Sequence, residues 1–124
     1  AAREFAAQAI RQHLAGLPLN MPAIVAGDMN ATEESKAIKL LLANAGEMPL
    51  VDGYRRLHPQ VDPMEATFNG FKNRTEGKRI DYVLHTQHFQ SQSAKIIRTT
   101  FDGKNASDHF PVVVELRWRD AFAQ

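Results

Sequence analysis

The sequence predicts an α/β protein, one mixed β-sheet with helices on its outer face. Three observations lead there. Two N-terminal segments carry apolar residues at helical spacing, a short apolar run rich in strand formers separates them, and three strand-like runs close the chain. The chain has 124 residues, of which 44% are hydrophobic and 23% charged, so residues 1–124 read as one ordinary globular domain with a single core.

Each element has a local cause. Ala6, Ile10, His13, Leu14 and Leu17 share one helical face, predicting an amphipathic helix over about residues 3–15 that stops near Gly16 and Pro18. Residues 23–27, Ala-Ile-Val-Ala-Gly, are too few for a helix and read as a strand buried on both faces. A second helix follows, with Thr32 as its cap, Glu33 and Glu34 at the positive end of the dipole, Ile38, Leu41, Leu42 and Ala45 on one face, and Gly46 as its stop. Residues 47–79 are punctuated by Pro49, Gly53, Pro59, Pro63, Gly70 and Gly77, so loops are expected there, with one short strand at residues 66–68. The closing strands are expected at residues 79–86, 94–100 and 111–118, the last alternating Val112, Val114, Leu116 and Trp118 with Val113, Glu115 and Arg117.

Composition removes several classes of function. No cysteine is present, which excludes disulfides, thiolate metal sites and cysteine nucleophiles. No apolar run approaches the ~18 residues of a membrane span. The first residues lack the uninterrupted apolar core of a signal peptide, so a mature or truncated start is expected. The formal charge of +1 provides no global footprint for nucleic acid, and a polyanion would have to be gripped locally. Asn30, Asn73 and Asn105 begin Asn-x-Ser/Thr triplets. They are read as accidental, because a glycan would obstruct the chemistry beside two of them. The sequence assigns no compartment.

Chemistry gathers in three polar segments where strands meet loops: Gly27-Asp28-Met29-Asn30, Arg79-Ile80-Asp81-Tyr82-Val83 and Ser107-Asp108-His109-Phe110-Pro111. Strand alternation places Asp28 and Asn30 on one side, and Gly27 permits close approach. Asp81, inside an apolar strand, needs a partner, and His109 is the natural one; a structural ion pair with Arg79 or Lys78 is the competing reading. For Asp28 and Asn30 the competing reading is a turn and helix cap. His85 and His88 do not form a zinc site, since His-x-x-His at a strand exit puts the rings on different sides and no third ligand follows. Ser107 lacks a nucleophile elbow and reads as a turn residue.

These segments resemble the endonuclease/exonuclease/phosphatase superfamily, the metal-dependent phosphoesterases that include DNase I-like and exonuclease III-like enzymes. In that superfamily a Gly-Asp-x-Asn strand end, an Ile-Asp-Tyr strand and a Ser-Asp-His loop meet at one phosphate site, and the three motifs stand here in that order. The stretch from Val51 to Pro59, followed by Thr67-Phe68, is similar to the segment connecting them. The resemblance implies that residues 1–124 are the C-terminal half of such a domain, half of a four-layer α/β-β/α sandwich. It assigns Asp108 to Mg²⁺ or Mn²⁺, hard cations that take oxygen ligands. It gives His109 to phosphate contact or proton transfer, with Asp81 fixing its tautomer. Asp28 is assigned to orient or deprotonate the attacking water and Asn30 to donate to a phosphate oxygen; whether Asp28 or the His109–Asp81 pair is the base stays open.

The resemblance also sets expectations about what lies outside the chain. The superfamily's first half supplies an asparagine, a metal-binding glutamate and a further histidine that would precede Ala1. A sheet without that half exposes an apolar face, for which either the missing half or a second copy of the chain is the expected cover. The substrate is expected to be a phosphate ester, with nucleic acid among the candidates. Lys72, Arg74, Lys78 and Arg79 surround a single acid, Glu76, and form a candidate basic rim in which Arg74 and Lys78 bind substrate; a solvated loop is the bland reading. Phe68 and Phe71 are candidates to stack on a base or sugar, with buried packing as the competing expectation for at least one of them. The rival to an enzyme is a non-catalytic half-sandwich that pairs with itself or another chain.

Overall fold

The structure is a computed structural model that describes residues 1–43 and 48–122. The elements run α1 (Ala2–Ala15), β1 (Ile24–Asp28), α2 (Lys36–Leu42), β2 (Leu50–Asp52), α3 (Gly53–Leu57), β3 (Asp81–Thr86), β4 (Phe89–Ile96) and β5 (Val112–Trp118). The α/β class is as the sequence predicts, but the pairing is not that of one mixed sheet. Among the described residues the ladders are antiparallel, in a sheet ordered β1-β3-β2 and a pair β4-β5. Gln87 and His88 turn β3 directly into β4, yet the two strands fall in different ladders, β3 pairing with β1 and β2 and β4 with β5.

Helices α1 and α2 cover one face of the β1-β3-β2 sheet. Ala7 and Leu14 from α1, Ile38 and Leu41 from α2, and Leu50, Tyr82 and Leu84 from the strands form the buried core. The second helix begins later than Thr32 suggests. Residues 32–35 form a turn closed by Ser35 N–H on the Thr32 carbonyl, and Ser35 Oγ accepts from Ile38 N at 3.3 Å as the cap. Ala45 and Gly46, expected to end that helix, lie outside the described residues.

Strand β1 is not buried on both faces. Ile24 is 52% exposed, and of its five residues only Val25 is half-buried. Since β1 pairs with β3 along one edge, Ile24, Ala26 and Asp28 lie on the face opposite α1 and α2.

The stretch expected to be loop contains β2 and α3. Asp52 caps α3, its Oδ1 accepting from Tyr54 N at 3.1 Å and Arg55 N at 3.2 Å. A side chain at Gly53 would sit 3.0 Å from Val114 Cγ1 and 3.1 Å from the Val83 carbonyl, so close packing selects glycine there. The strand expected at residues 66–68 is reduced to a bridge between Phe68 and His109, and β4 starts at Phe89 rather than at Ala94. No helix among the described residues is long and apolar enough to cross a membrane.

Candidate active site

Register creates the site. Asp28, the last residue of β1, lies directly opposite Asp81, the first of β3, on the face away from the helices. Two carboxylates in that relation repel unless a cation or proton intervenes. His109 supplies the intervening group: Nδ1 lies 2.9 Å from Asp81 Oδ2 and Nε2 lies 3.8 Å from Asp28 Oδ2. Ligating atoms of the three residues all fall within 4.8 Å of one another.

The His109 loop is held by Thr67, which is wholly buried. Its Oγ1 accepts from Ile80 N at 3.0 Å and Asp81 N at 3.3 Å, and its carbonyl accepts from Phe110 N at 2.6 Å. One residue therefore ties the start of β3 to the loop that carries its partner. Buried Asn69 adds a second tie, donating through Nδ2 to the Ser107 carbonyl at 3.1 Å and accepting from Phe71 N at 2.7 Å. The amides of Asn69 and Gly70 both donate to the Asp108 carbonyl, at 2.7 and 3.1 Å. Ser107 Oγ accepts from His109 N at 3.1 Å, as a turn residue does.

The hydrogen bond to Asp81 raises the pKa of His109 above the ordinary 6.5; partial burial opposes this, and the charges of Asp81, Asp28 and Asp108 reinforce it. Since the folded value is raised, the pair stabilises the fold fully below 6.5, and this contribution fades as pH rises through the raised value. The gap in thermal midpoint between the wild type and Asp81→Asn should accordingly narrow across that window. A gap that stays constant across it would exclude the pair as its source.

The other expected site residues divide. Asn30 follows the strand end in a left-handed conformation, φ 47°, so it does not alternate with Asp28 along a strand. Instead its N–H donates to Asp28 Oδ1 at 2.8 Å. Asp108 is half-buried, and its Oδ1 accepts from Ser107 Oγ at 3.4 Å. Arg74 is exposed and turned to the Glu76 carbonyl, while exposed Lys78 pairs with Glu34 at 2.9 Å; neither is brought to the histidine cluster. Arg79 is no part of a basic rim, because its side chain is fully buried against Asp52 and Glu33. Nor does it pair with the Asp81 carboxylate.

Phe68 sets its ring edgewise to His109 with centroids 5.4 Å apart, and it is 46% exposed. The remaining histidines of interest have structural partners. His85, buried on β3, lies 2.9 Å from the Thr86 carbonyl through Nδ1 and 3.2 Å from Ser91 Oγ through Nε2. The carbonyl can only accept, so Nδ1 is the donor of that pair. His88 Nδ1 lies 2.8 Å from Thr86 Oγ1.

Sequence reasoning passed over Thr67, Asn69 and the ions Glu33, Asp52, Arg55, Glu65 and Arg79 as a packed group. For Arg79 the available signal was a cation opening an apolar strand run, three residues before Tyr82. Its guanidinium meets the rings of Tyr54 and Tyr82 at 4.9 and 4.4 Å.

Residues 1–109 match the Endonuclease/Exonuclease/phosphatase family, and the chain belongs to it. Members are phosphoester hydrolases that generally depend on a divalent metal. Similar solved structures include a mannosyl-6-phosphatase of Bacteroides thetaiotaomicron, 25% identical with a TM-score of 0.75, covering 94% of this chain and 46% of its own. A family protein from the same organism is 25% identical with a TM-score of 0.77 over 93% of this chain and 45% of its own. Another, from Bacteroides vulgatus, is 26% identical with a TM-score of 0.77 over 95% and 44%. The chain thus spans a little under half the length of these structures. No curated protein matches it.

Proposed function

We propose that this chain carries the C-terminal share of the active site of a divalent-metal-dependent phosphoesterase, which hydrolyses a phosphate monoester or diester by direct attack of water. The observation that supports this most is the convergence of Asp28, Asp81 and His109 from three separated segments.

Hydrolysis of a phosphate ester needs charge stabilised on the phosphoryl oxygens, a proton removed from water and a leaving group made better. Asp81 orients the imidazole through Nδ1, which directs Nε2 outward to a phosphate oxygen. The carboxylates on both sides favour the imidazolium, so His109 acts first as a charged donor. With Oδ1 occupied by the Asn30 amide, Asp28 Oδ2 faces the imidazole at 3.8 Å and has no hydrogen-bond donor closer among the described residues. It is therefore the group that takes the water proton. Asn30 donates its side-chain amide to the phosphate.

The oxygen-rich donors suit a hard cation, and Asp108 is the residue we assign to it, in line with sites that use one or two carboxylates plus substrate phosphate. The cation supplies charge neutralisation at the phosphoryl oxygens when bound.

The leaving group is read as a sugar or another alcohol with an apolar face. The structural likeness to a mannosyl-6-phosphatase supports a sugar monophosphate, and the exposed ring of Phe68 beside His109 offers a surface for such a face. Nucleic acid is the weaker choice at a net charge of +1. The exposed face of β1 is where a further half-domain or a second chain would seat.

The test is release of phosphate from sugar monophosphates and generic phosphodiesters with Mg²⁺ or Mn²⁺, measured for this chain and for a protein of the neighbours' length. Turnover is expected of the longer protein alone. Its absence under both metals would favour a non-catalytic pairing module. Charge reversal at Arg74 and Lys78 in the longer protein should raise KM and flatten its salt dependence, and unchanged values would remove these residues from substrate capture.

A further inference from the structure

A packed set of ions is not used by the chemistry above: Arg79, Asp52 and Glu65 are buried, and Glu33 and Arg55 are half-buried. Arg79 donates through Nη2 to Asp52 Oδ2 at 2.5 Å and Glu33 Oε1 at 2.7 Å, and through Nη1 to Asp52 Oδ1 at 3.2 Å. Its guanidinium lies over the rings of Tyr54 and Tyr82, and its Nε is buried without a partner among the described residues. Glu33 is shared: Arg55 donates to it through Nε at 3.1 Å and Nη2 at 2.5 Å, while Arg55 also binds Glu65. A buried ionic cluster of this kind adds little net stability over apolar packing, so its value lies in fixing geometry.

The geometry it fixes is that of residues 29–33. Three successive anchors hold this stretch, and all come from residues 79–82. The Ile80 carbonyl accepts from Met29 N at 2.9 Å, Tyr82 Oη donates to the Ala31 carbonyl at 2.8 Å, and Arg79 grips Glu33. The fourth residue of that quartet, Asp81, holds His109. The same four residues therefore position both sides of the site. Asn30 is left-handed at φ 47°, and an uncommon backbone state of this kind persists where its surroundings over-determine it.

We propose that the Arg79–Glu33 ion pair is a positioning latch, which sets the Asn30 loop against the Asp81–His109 pair without touching substrate. This rests on the phosphoesterase reading. Arg79 suits the task because its rigid fork can meet two carboxylates while stacked between two rings, which a lysine cannot do.

The test compares Glu33→Gln with Glu65→Gln in the enzyme of full length. The first weakens the latch; the second weakens the same network at its far side. Glu33→Gln should lower kcat by about 10- to 100-fold with KM changed less than about two-fold, the signature of misplaced groups rather than lost binding. It should also move the backbone amide resonances of Met29 and Asn30. Glu65→Gln should lower the thermal midpoint while leaving kcat at the wild-type value.

A folded Glu33→Gln with wild-type kcat and unmoved amides would overturn the proposal, as would a loss of kcat in Glu65→Gln equal to that in Glu33→Gln. Should Glu33→Gln fail to fold, Glu33→Asp keeps the charge and shortens the reach by a methylene; it should show the same selective fall in kcat, and wild-type kcat would overturn the latch. If the wild-type enzyme cleaves no phosphate ester, the phosphoesterase reading fails separately, and the amide shifts still decide whether Glu33 holds the loop.

Discussion

Replacing His109 by alanine is expected to lower kcat on a phosphate ester by about 10²- to 10⁴-fold in the enzyme of full length, the range typical of losing a positioned proton-transfer group. The variant removes the imidazole that stands between Asp28 and Asp81, so it takes away the donor to phosphate that we propose and also leaves two opposed carboxylates without a bridge. Asp81→Asn separates these effects. It keeps the shape of the pair but removes the charge that holds Nδ1 protonated and raises the pKa of the ring, so it should give a smaller fall in kcat and a lower imidazole titration. Steady-state kinetics over pH, beside circular dichroism to establish folding, make the measurement. A folded His109→Ala enzyme with more than about a tenth of wild-type kcat would place the chemistry elsewhere.

Much of this site was legible in the sequence because its members sit at ends of elements. Asp28, Asp81 and His109 are polar residues at strand boundaries, where alternation and proline limits can be read directly; the pairing of His109 with Asp81 was read from the residues, and the approach of Asp28 was implied by the family resemblance. What could not be read was register. Nothing local to Asp28 or Asp81 specifies that they stand opposite one another, since that is fixed by how β1 slides along β3. The sheet's pairing directions depart from expectation as well, and β4 begins at Phe89, ahead of the apolar run that marked it. Strand β1 was read as doubly buried because apolar composition reports the capacity to be covered, whereas Ile24 remains half-exposed. Helix α3 was missed because Gly53 and the nearby prolines read as loop signals, whereas the structure caps it with Asp52 and packs Gly53 against distant Val114. Glu33 looked like a dipole-stabilising acid of a helix that in fact starts at Lys36.

The largest expected loss of stability belongs to Arg79. Arg79→Met should destabilise the fold by about 3–5 kcal/mol, because truncating one member of a buried ionic cluster strands the charge of the others. Asp52 is the residue stranded most severely: it is buried, and Arg79 is its only cationic partner among the described residues. Glu33 keeps Arg55. Burial is the largest influence on Glu33 and opposes its ionisation, yet the hydrogen bonds and charges of the two arginines outweigh it and hold its pKa below the ordinary range. Losing one of the two should let that pKa rise, so the variant becomes less sensitive to acid than the wild type over the range where Glu33 protonates. Arg79→Lys should recover only part of the loss, since an ammonium keeps the charge but cannot meet Asp52 through two nitrogens while lying over Tyr54 and Tyr82. The discriminating variant is Arg79→Met combined with Asp52→Asn, which neutralises the stranded carboxylate and retains an oxygen to cap α3. If the cost comes from the stranded charge, urea unfolding will show the double variant to be more stable than Arg79→Met alone. If it comes from lost packing between the two tyrosine rings, the second substitution will restore nothing, and the cluster will have to be understood as a hydrophobic plug that happens to carry charge.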